Sequence, residues 1–252
     1  MTDGFRALLA KEVMRFWKVS FQTVAAPVLS ALLFLVIFSH AFAGRVEPYP
    51  GVAYTQFLVP GLAMMSMLQN GFANASSSLI QSKITGNIVF ILLAPLTPGD
   101  LFAAYLLASV VRAVAVGAGV VLAVAWLVPM PLPHPLWLAA FTLTGVGILG
   151  ALGIIAGIWA EKFDQLAAFQ NFFVLPLTFL AGVFYSVDSL PPFWRAASHL
   201  NPFFYAIDGF RYAFFGKADV SPWTSLAIAS ASFCALSWIT LRLLRSGYKL
   251  RQ

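Results

Sequence analysis

Residues 113–160 read AVAVGAGVVLAVAWLVPMPLPHPLWLAAFTLTGVGILGALGIIAGIWA and contain no Asp, Glu, Lys or Arg. A helix needs about 20 apolar residues to cross the hydrocarbon of a bilayer, so this stretch has room for two crossings. Its prolines cluster in VPMPLPHP, residues 128–135, where they end one helix and open the next. We therefore expect two membrane-spanning helices, at 101–127 and 136–160, joined by a proline-rich turn.

Comparable uncharged stretches occur on both sides of this pair. They predict four more spans, at 21–43, 55–79, 167–187 and 223–241. Residues 4–18 have apolar side chains on one helical face and Lys11, Arg15 and Lys18 on the other, so this helix is expected to lie along the membrane surface. With 60% hydrophobic and 10% charged residues, the composition excludes an ordinary soluble domain. The chain is expected to be one all-α membrane domain of six spans, 1–252.

Lys and Arg residues predict the orientation, because they concentrate on the cytoplasmic side of membrane proteins. With both termini inside, ten of them lie in the cytoplasm: Arg6, Lys11, Arg15, Lys18, Lys83, Lys162, Arg242, Arg245, Lys249 and Arg251. Four then lie outside: Arg45, Arg195, Arg211 and Lys217. The sequence therefore favours cytoplasmic termini, with 81–100 inside and 188–222 outside.

Polar side chains inside the spans mark surfaces that should face protein or a pathway rather than lipid. Ser66, Asn70 and Asn74 recur at helical spacing on one face of the second span. Helix packing and a substrate pathway explain this face equally well. Arg112 is the one basic residue deep in an apolar run, and snorkelling towards the nearer surface is favoured over a contact with substrate.

The sequence lacks the patterns of a self-sufficient enzyme. Gly216-Lys217 is followed by Ala218 and has no upstream phosphate-binding loop, so the chain holds no Walker A motif. His40, His134 and His199 lie on separate connections, and the single Cys234 lies within an apolar run. We expect no catalytic residue, no metal site and no cofactor bound by this chain.

The segment FLAGVFYSVDSLPPFWRAASHLNPFFYAIDGFR, residues 179–211, resembles the C-terminal signature of bacterial type 2 ABC exporter permeases. That family includes nodulation-factor, polysaccharide and drug exporters. Residues 81–100 are also similar to the cytoplasmic segment that follows the second span in the family. The matching residues of the signature are Gly182, Phe184, Leu190, Pro191, Pro192, Trp194, Asn201, Pro202, Tyr205, Asp208 and Arg211.

This resemblance implies two six-helix bundles that pair, with a homodimer favoured, above two cytoplasmic ATPase subunits that use ATP and Mg. It implies that 83–93 is the main coupling helix and that 161–165 is the second contact with the ATPase. The coupling residues implied in this way are Lys83, Ile84, Thr85, Gly86, Asn87, Ile88, Glu161, Lys162 and Asp164.

By the same resemblance, 188–211 is an external pair of short re-entrant helices, acting either as a gate or as an anchored lid. Pro191 and Pro192 can open the first helix, and Asn201-Pro202 can separate the two. Asp208 and Arg211 are three residues apart and could form an i,i+3 ion pair. The aromatic residues expected to form an interfacial belt are Phe193, Trp194, Phe203, Phe204 and Tyr205.

The function favoured by the sequence is export of an amphipathic or lipid-linked molecule across a bacterial inner membrane, driven by a separate ATPase. An ATP-independent secondary carrier and a membrane assembly factor are the alternatives. Secondary carriers commonly have internal repeats and acidic residues within their spans. Neither feature is apparent here, which places the carrier second.

Overall fold

The computed structural model describes residues 3–42 and 47–250, and within these ranges the chain folds entirely into helices and connections. Arg45, Arg251 and the last residue of the predicted first span, at 43, lie outside the described residues. The helices are α1 Asp3–Trp17, α2 Ser20–Phe42, α3 Tyr54–Ile84, α4 Ile88–Leu93, α5 Pro98–Ala125, α6 Pro135–Trp159, α7 Phe163–Phe169, α8 Leu175–Phe179, α9 Pro192–His199, α10 Pro202–Phe215 and α11 Pro222–Ser246.

Four of these helices, α2, α5, α6 and α11, are long and apolar enough to cross a membrane. Helix α3 is longer, at 31 residues, but its amides and hydroxyls make it more polar. Helices α7 and α8 are joined by the π-helical segment Gln170–Val174, so helical structure is continuous from Phe163 to Phe179. The proline-rich turn predicted after residue 127 lies between α5 and α6, as expected.

Helices α3 and α6 form the centre of the bundle and approach closely because α6 carries glycines on the shared face. A Cβ atom built on Gly153 would lie 2.5 Å from the carbonyl oxygen of Phe72, and one on Gly157 would lie 2.8 Å from Leu79 Cβ. Such contacts leave no room for a side chain. The Gly153–Gly157 pair therefore serves packing within one chain.

The helix in the region of the predicted fifth span, 167–187, ends at Phe179, well before the predicted boundary. Gly182 then turns the chain with a φ of 74°, in the left-handed region that favours glycine. The buried guanidinium of Arg211 donates to the carbonyl oxygens of Gly182 and Val183, at 2.9 and 3.4 Å. Arg211 thus supplies the hydrogen bonds that these carbonyls would have received in a longer helix.

The N-terminal helix α1 packs against α5 through Phe5, Leu8 and Phe16, which are buried. Glu12 lies on this same face and is completely buried, whereas Trp17 is exposed. The carboxylate of Glu12 accepts hydrogen bonds from Lys11 and Arg15 on its own helix, which compensates for its burial.

Candidate functional site

The polar face of α3 is directed at neighbouring helices. Asn74 is fully buried; its side-chain amide donates to Ser109 Oγ on α5 at 3.4 Å. Its backbone and side-chain oxygens both accept from Arg15 Nη2, at 2.8 and 3.1 Å. The other terminal nitrogen of the same guanidinium, Nη1, donates to Ser77 Oγ at 3.3 Å. This part of the face therefore joins α1, α3 and α5 through a buried network.

Arg112 reaches the same helix one turn further along. Its Nε and Nη2 atoms both donate to Asn70 Oδ1, at 3.1 and 3.0 Å. The amide nitrogen of Asn70 donates in turn to the backbone oxygen of Ser66 at 3.0 Å. The snorkelling interpretation favoured from the sequence is therefore not what the structure shows, because the guanidinium is directed at an amide in the middle of α3.

A groove of about 380 Å³ runs along the other side of this polar face, between α2, α3 and the α8 region. The wall from α3 offers a hydroxyl and two amides, and the opposite wall is apolar except for Ser30. Polar groups that fix orientation among apolar walls are the usual chemistry of small-molecule sites. The groove is lined by Ala26, Pro27, Ser30, Ala31, Phe34, Leu62, Met65, Ser66, Gln69, Asn70, Leu175 and Phe179.

A larger cavity of about 570 Å³ lies beyond the groove, at the end of the bundle that holds the start of α3. It combines aromatic rings with two carboxylates and several hydroxyls. Tyr54 donates its hydroxyl to the carbonyl oxygen of Phe184 at 2.9 Å, which fixes one side of the cavity. The lining residues are Phe38, Phe42, Glu47, Pro48, Tyr54, Phe184, Tyr185, Ser186, Asp188 and Ser189.

Four phenylalanines separate the groove from the cavity; we call Phe34, Phe38, Phe179 and Phe184 the phenylalanine barrier. Phe34 and Phe179 line the groove, whereas Phe38 and Phe184 line the cavity. The ring of Phe184 lies 5.5 Å from Phe34, 5.1 Å from Phe38 and 6.0 Å from Phe179, between ring centroids. The two spaces therefore meet at one apolar constriction made by α2, α8 and the following turn.

The two short helices predicted after residue 188 are present. Pro192 opens α9. Asn201 caps α10 by accepting the amide of Phe203 at 3.0 Å, and Pro202 occupies the first turn of that helix. The amide nitrogen of Asn201 donates to the carbonyl oxygen of Leu177, which ties the hairpin to α8. Tyr205 donates its hydroxyl to the carbonyl oxygen of His199 at 2.8 Å.

The predicted aromatic belt divides into two groups. Phe193 and Trp194 on α9 are exposed, as an interfacial role requires. Phe203, Phe204 and Tyr205 are buried, so the prediction that they belong to this belt is wrong. Helix α10 packs against α3, α6 and α11, and its first turn is therefore enclosed by protein.

The predicted ion pair between Asp208 and Arg211 is also wrong. The ion pairs among residues 3–42 and 47–250 join Lys11 and Arg15 to Glu12 and Lys249 to Glu161. Arg211 instead lies 3.7 Å above the ring of Phe57, at the start of α3. Both members of the predicted pair bond backbone groups in connections outside the helices, where those groups lack helical hydrogen-bond partners.

Asp208 and Asp219 together join the connections at this end of the bundle. Asp208 accepts the backbone amides of Asp219 and Val220, at 2.9 and 3.0 Å, and the hydroxyl of Tyr49 at 3.4 Å. Asp219 accepts hydrogen bonds from the hydroxyl of Ser186, at 2.6 Å, and from the backbone amide of Val187, at 2.7 Å. These two carboxylates hold three connections beside the larger cavity.

At the opposite end, Lys83 joins α3 to α6. Its ammonium donates to the carbonyl oxygens of Ile158 and Ala160, at 2.8 and 2.6 Å. Burial lowers the pKa of Lys83. Since these carbonyls lie at the C-terminal end of α6 and lack helical partners, the ammonium completes their hydrogen bonding. Its positive charge also compensates the negative end of the helix dipole. The two segments predicted to contact an ATPase are thereby attached to each other.

The segment after Lys83 turns sharply into the short helix α4. Thr85 caps α3 with its hydroxyl on the carbonyl oxygen of Gln81, at 2.8 Å, and Gly86 adopts a φ of 73°. Asn87 precedes α4 without a side-chain cap, and Ile88 packs into the bundle. The remaining apolar residues that α4 and this turn leave exposed are Ile84, Val89, Phe90, Leu92 and Leu93.

The second predicted contact segment lies beside Lys83. Glu161 pairs with Lys249 at 2.7 Å, and its backbone amide donates to Gln165 Oε1 at 2.8 Å. The hydrogen bond with Lys249 lowers the pKa of Glu161 and raises that of Lys249, so both groups are ionised at neutral pH. Lys162 and Asp164 are exposed at the start of α7.

Several apolar helices of spanning length, packed around a polar helix with a groove and a cavity along it, are the architecture of a multi-pass membrane protein. The profile of the ABC-2 type transporter family matches residues 3–215. The chain belongs to this ABC-2 family of transport permeases.

Two relatives illustrate the membership. The chain is 37% identical to the inner membrane transport permease YadH of Escherichia coli (strain K12), over 98% of this chain and 97% of that protein. It is 28% identical to nodulation protein J of Sinorhizobium fredii (strain NBRC 101917 / NGR234), over 77% of this chain and 72% of that protein. The similarity to YadH therefore extends over nearly the whole of both chains.

Proposed function

We propose that the chain is the permease subunit of an exporter that moves an amphipathic or lipid-linked molecule out of the cytoplasm, with ATP and Mg used by a separate ATPase subunit. The observation that carries this proposal is the polar groove joined to the aromatic cavity at the phenylalanine barrier. A polar head can bind the hydroxyls and amides of the groove while an apolar tail contacts its apolar wall. Displacement of the barrier would open the way to the cavity.

In this proposal the membrane contains six spans, with α3 as the second and α7 with α8 as the fifth. Both termini and α4 lie in the cytoplasm of a bacterial cell, and the membrane is the inner membrane, as the name of YadH states for that relative. The hairpin of α9 and α10 is re-entrant from the outside. Exposed Phe193 and Trp194 support contact of α9 with the outer interface.

The contact surface for the ATPase comprises the Lys83–Ile88 turn, α4 and 161–165. Exposed apolar side chains on α4 support a protein partner there, since isolated apolar groups in water gain from burial. The hydrogen bonds from Lys83 to the end of α6 connect both contact segments to the central pair of helices. Movement of the ATPases would reach α3 and α6 together.

We infer that two copies of the permease and two copies of the ATPase make the complete transporter. Helix α2 supports pairing of permeases, because it leaves Leu29, Leu33 and Ile37 exposed. Closure by a second copy would shield the polar groups of the groove from lipid.

Purification of the tagged chain from its native host, in mild detergent, tests this proposal. The expected result is a co-purifying protein with a Walker A motif, in equal molar amount by quantitative mass spectrometry. Absence of any ATPase under several gentle extraction conditions would contradict it and favour the secondary carrier or the assembly factor.

A further inference from the structure

Four basic side chains converge where α1 meets α3 and α5. Lys11, Arg15 and Lys18 are spaced i, i+4 and i+7, and the amide of Lys18 still donates to the carbonyl oxygen of Met14, so all three lie on one helical face. Arg112 on α5 donates to Asn70 of α3, and Arg15 donates to Asn74 of the same helix. Asn70 and Asn74 are one helical turn apart, which brings Arg112 close to Arg15. Side chains one turn apart lie about 5–6 Å from each other.

The charges of this basic cluster are only partly compensated. Glu12 is the one carboxylate paired with it in the described ranges, and it lies beneath the surface in contact with Lys11 and Arg15. Arg112 has no carboxylate partner within those ranges, and its two hydrogen bonds go to a single amide oxygen. Four cations therefore face one anion in a region bordered by apolar helices.

The surface around the cluster suits a lipid. Lys11 keeps 47% of its side chain exposed and Arg15 keeps 31%, so both remain accessible from outside the protein. Phe21, at 86% exposure, follows Lys18 by three residues in the chain and would contact acyl chains. Cations next to exposed aromatic groups are the chemistry that anchors proteins at the interface of an anionic membrane.

We propose that this cluster binds the phosphate headgroup of one anionic phospholipid. Lys11, Lys18 and the outer edge of Arg15 contact the phosphate, while Arg112 contributes its uncompensated charge from below. The lipid then bridges α1 to α5 and α3, and so stabilises the docking of the N-terminal helix. Only the choice of leaflet, the cytoplasmic one, depends on the proposed orientation; binding itself requires neither an ATPase nor transport.

Native mass spectrometry of the delipidated full chain tests the site by titration with dioleoyl phosphatidylglycerol and dioleoyl phosphatidylcholine. Phosphatidylglycerol should bind one molecule per chain more tightly than phosphatidylcholine. A surface Lys or Arg contributes about 1 kcal/mol to binding of anionic lipid, so Lys18→Gln should weaken the phosphatidylglycerol affinity about fivefold. Arg112→Gln should weaken it to a similar extent, and Arg112→Lys should restore most of it.

Arg6→Gln is the matched control, because Arg6 is exposed on the same helix but roughly 120–180° around it from the other three. It should leave the affinity unchanged. Equal binding of the two lipids, or equal loss in Arg6→Gln and Lys18→Gln, would overturn the proposal. Displacement of phosphatidylglycerol by millimolar inorganic phosphate would also overturn it, since the site would then take a free anion. Lys18 is exposed, so its variant reports on binding even if an Arg112 variant folds poorly.

Discussion

Replacement of Lys83 by methionine tests the connection between the two proposed ATPase contacts. Met keeps most of the aliphatic length but removes both hydrogen bonds to the end of α6, at 2.8 and 2.6 Å. A hydrogen bond from a charged donor contributes about 1.5–3 kcal/mol, and the C-terminal helix dipole adds about 0.3–1 kcal/mol. Lys83 is half-buried, so water can reach the freed carbonyls, and we expect a net loss of about 2 kcal/mol.

The assay is thermal unfolding of the purified chain in detergent, followed by intrinsic fluorescence. For a chain of this size a loss of about 2 kcal/mol lowers Tm by roughly 4–8 °C. Lys162→Met is the control, since it removes the same charge from an exposed position two residues beyond Ala160. An equal Tm for Lys83→Met and wild type, or equal decreases in the two variants, would refute the argument that these hydrogen bonds join α3 to α6.

Three further substitutions test the packing, the outer connections and the barrier. Gly153→Ala places a Cβ against backbone and should cost about 1–3 kcal/mol. Gly99→Ala meets only one atom, at 3.6 Å, and should leave Tm unchanged or slightly raised. Equal Tm values in the two variants would contradict the close approach. Asp208→Asn weakens the two charge-assisted hydrogen bonds from the amides of Asp219 and Val220. Limited proteolysis of the connection before α11 should therefore become faster. An unchanged cleavage rate would count against the structural role of Asp208. Phe184→Ala should increase passive leak of an amphipathic dye from proteoliposomes, in contrast to Phe193→Ala on exposed α9, and equal leak would exclude the barrier.

Helix boundaries marked by proline and a capping residue could be predicted from the sequence. Asn201 and Pro202 begin α10, and Pro192 begins α9, because the cap and the fixed φ of proline act locally. The end of the fifth span could not be predicted in this way. It depends on Arg211, which lies 29 residues after Gly182 and satisfies its carbonyl from another helix.

Buried charge was the second feature that local patterns did not indicate. Glu12 is completely buried because it pairs with Arg15, which the sequence placed on the polar face of α1 and which binds Asn74 and Ser77 of α3. The pairing of Asp208 with the amides of a distant connection was missed for the same reason, since i,i+3 spacing favours Arg211 as its partner.

The candidate groove was only half predictable. The helical spacing of Ser66 and Asn70 indicated a polar face, and the structure places both along the groove. Phe34, Phe38 and Phe42 also follow a helical spacing on α2, which was a usable signal for the aromatic surface. Their meeting with Phe184 depends on the unwound turn after α8, and so required the structure.

The central claim is that a separate ATPase drives this permease through the turn before α4. Its most direct test is the ATP hydrolysis rate of the reconstituted complex in two proline variants. Gly86 and Gly51 both have positive φ, 73° and 72°, and both have open space around them, but they lie at opposite ends of α3. Proline cannot adopt this φ, so both variants disturb a turn, and Gly86→Pro also removes the hydrogen bond from the Gly86 amide to the carbonyl oxygen of Lys83. Our account predicts that Gly86→Pro changes the hydrolysis rate, whereas Gly51→Pro does not. Equal rates in both variants and wild type would contradict it.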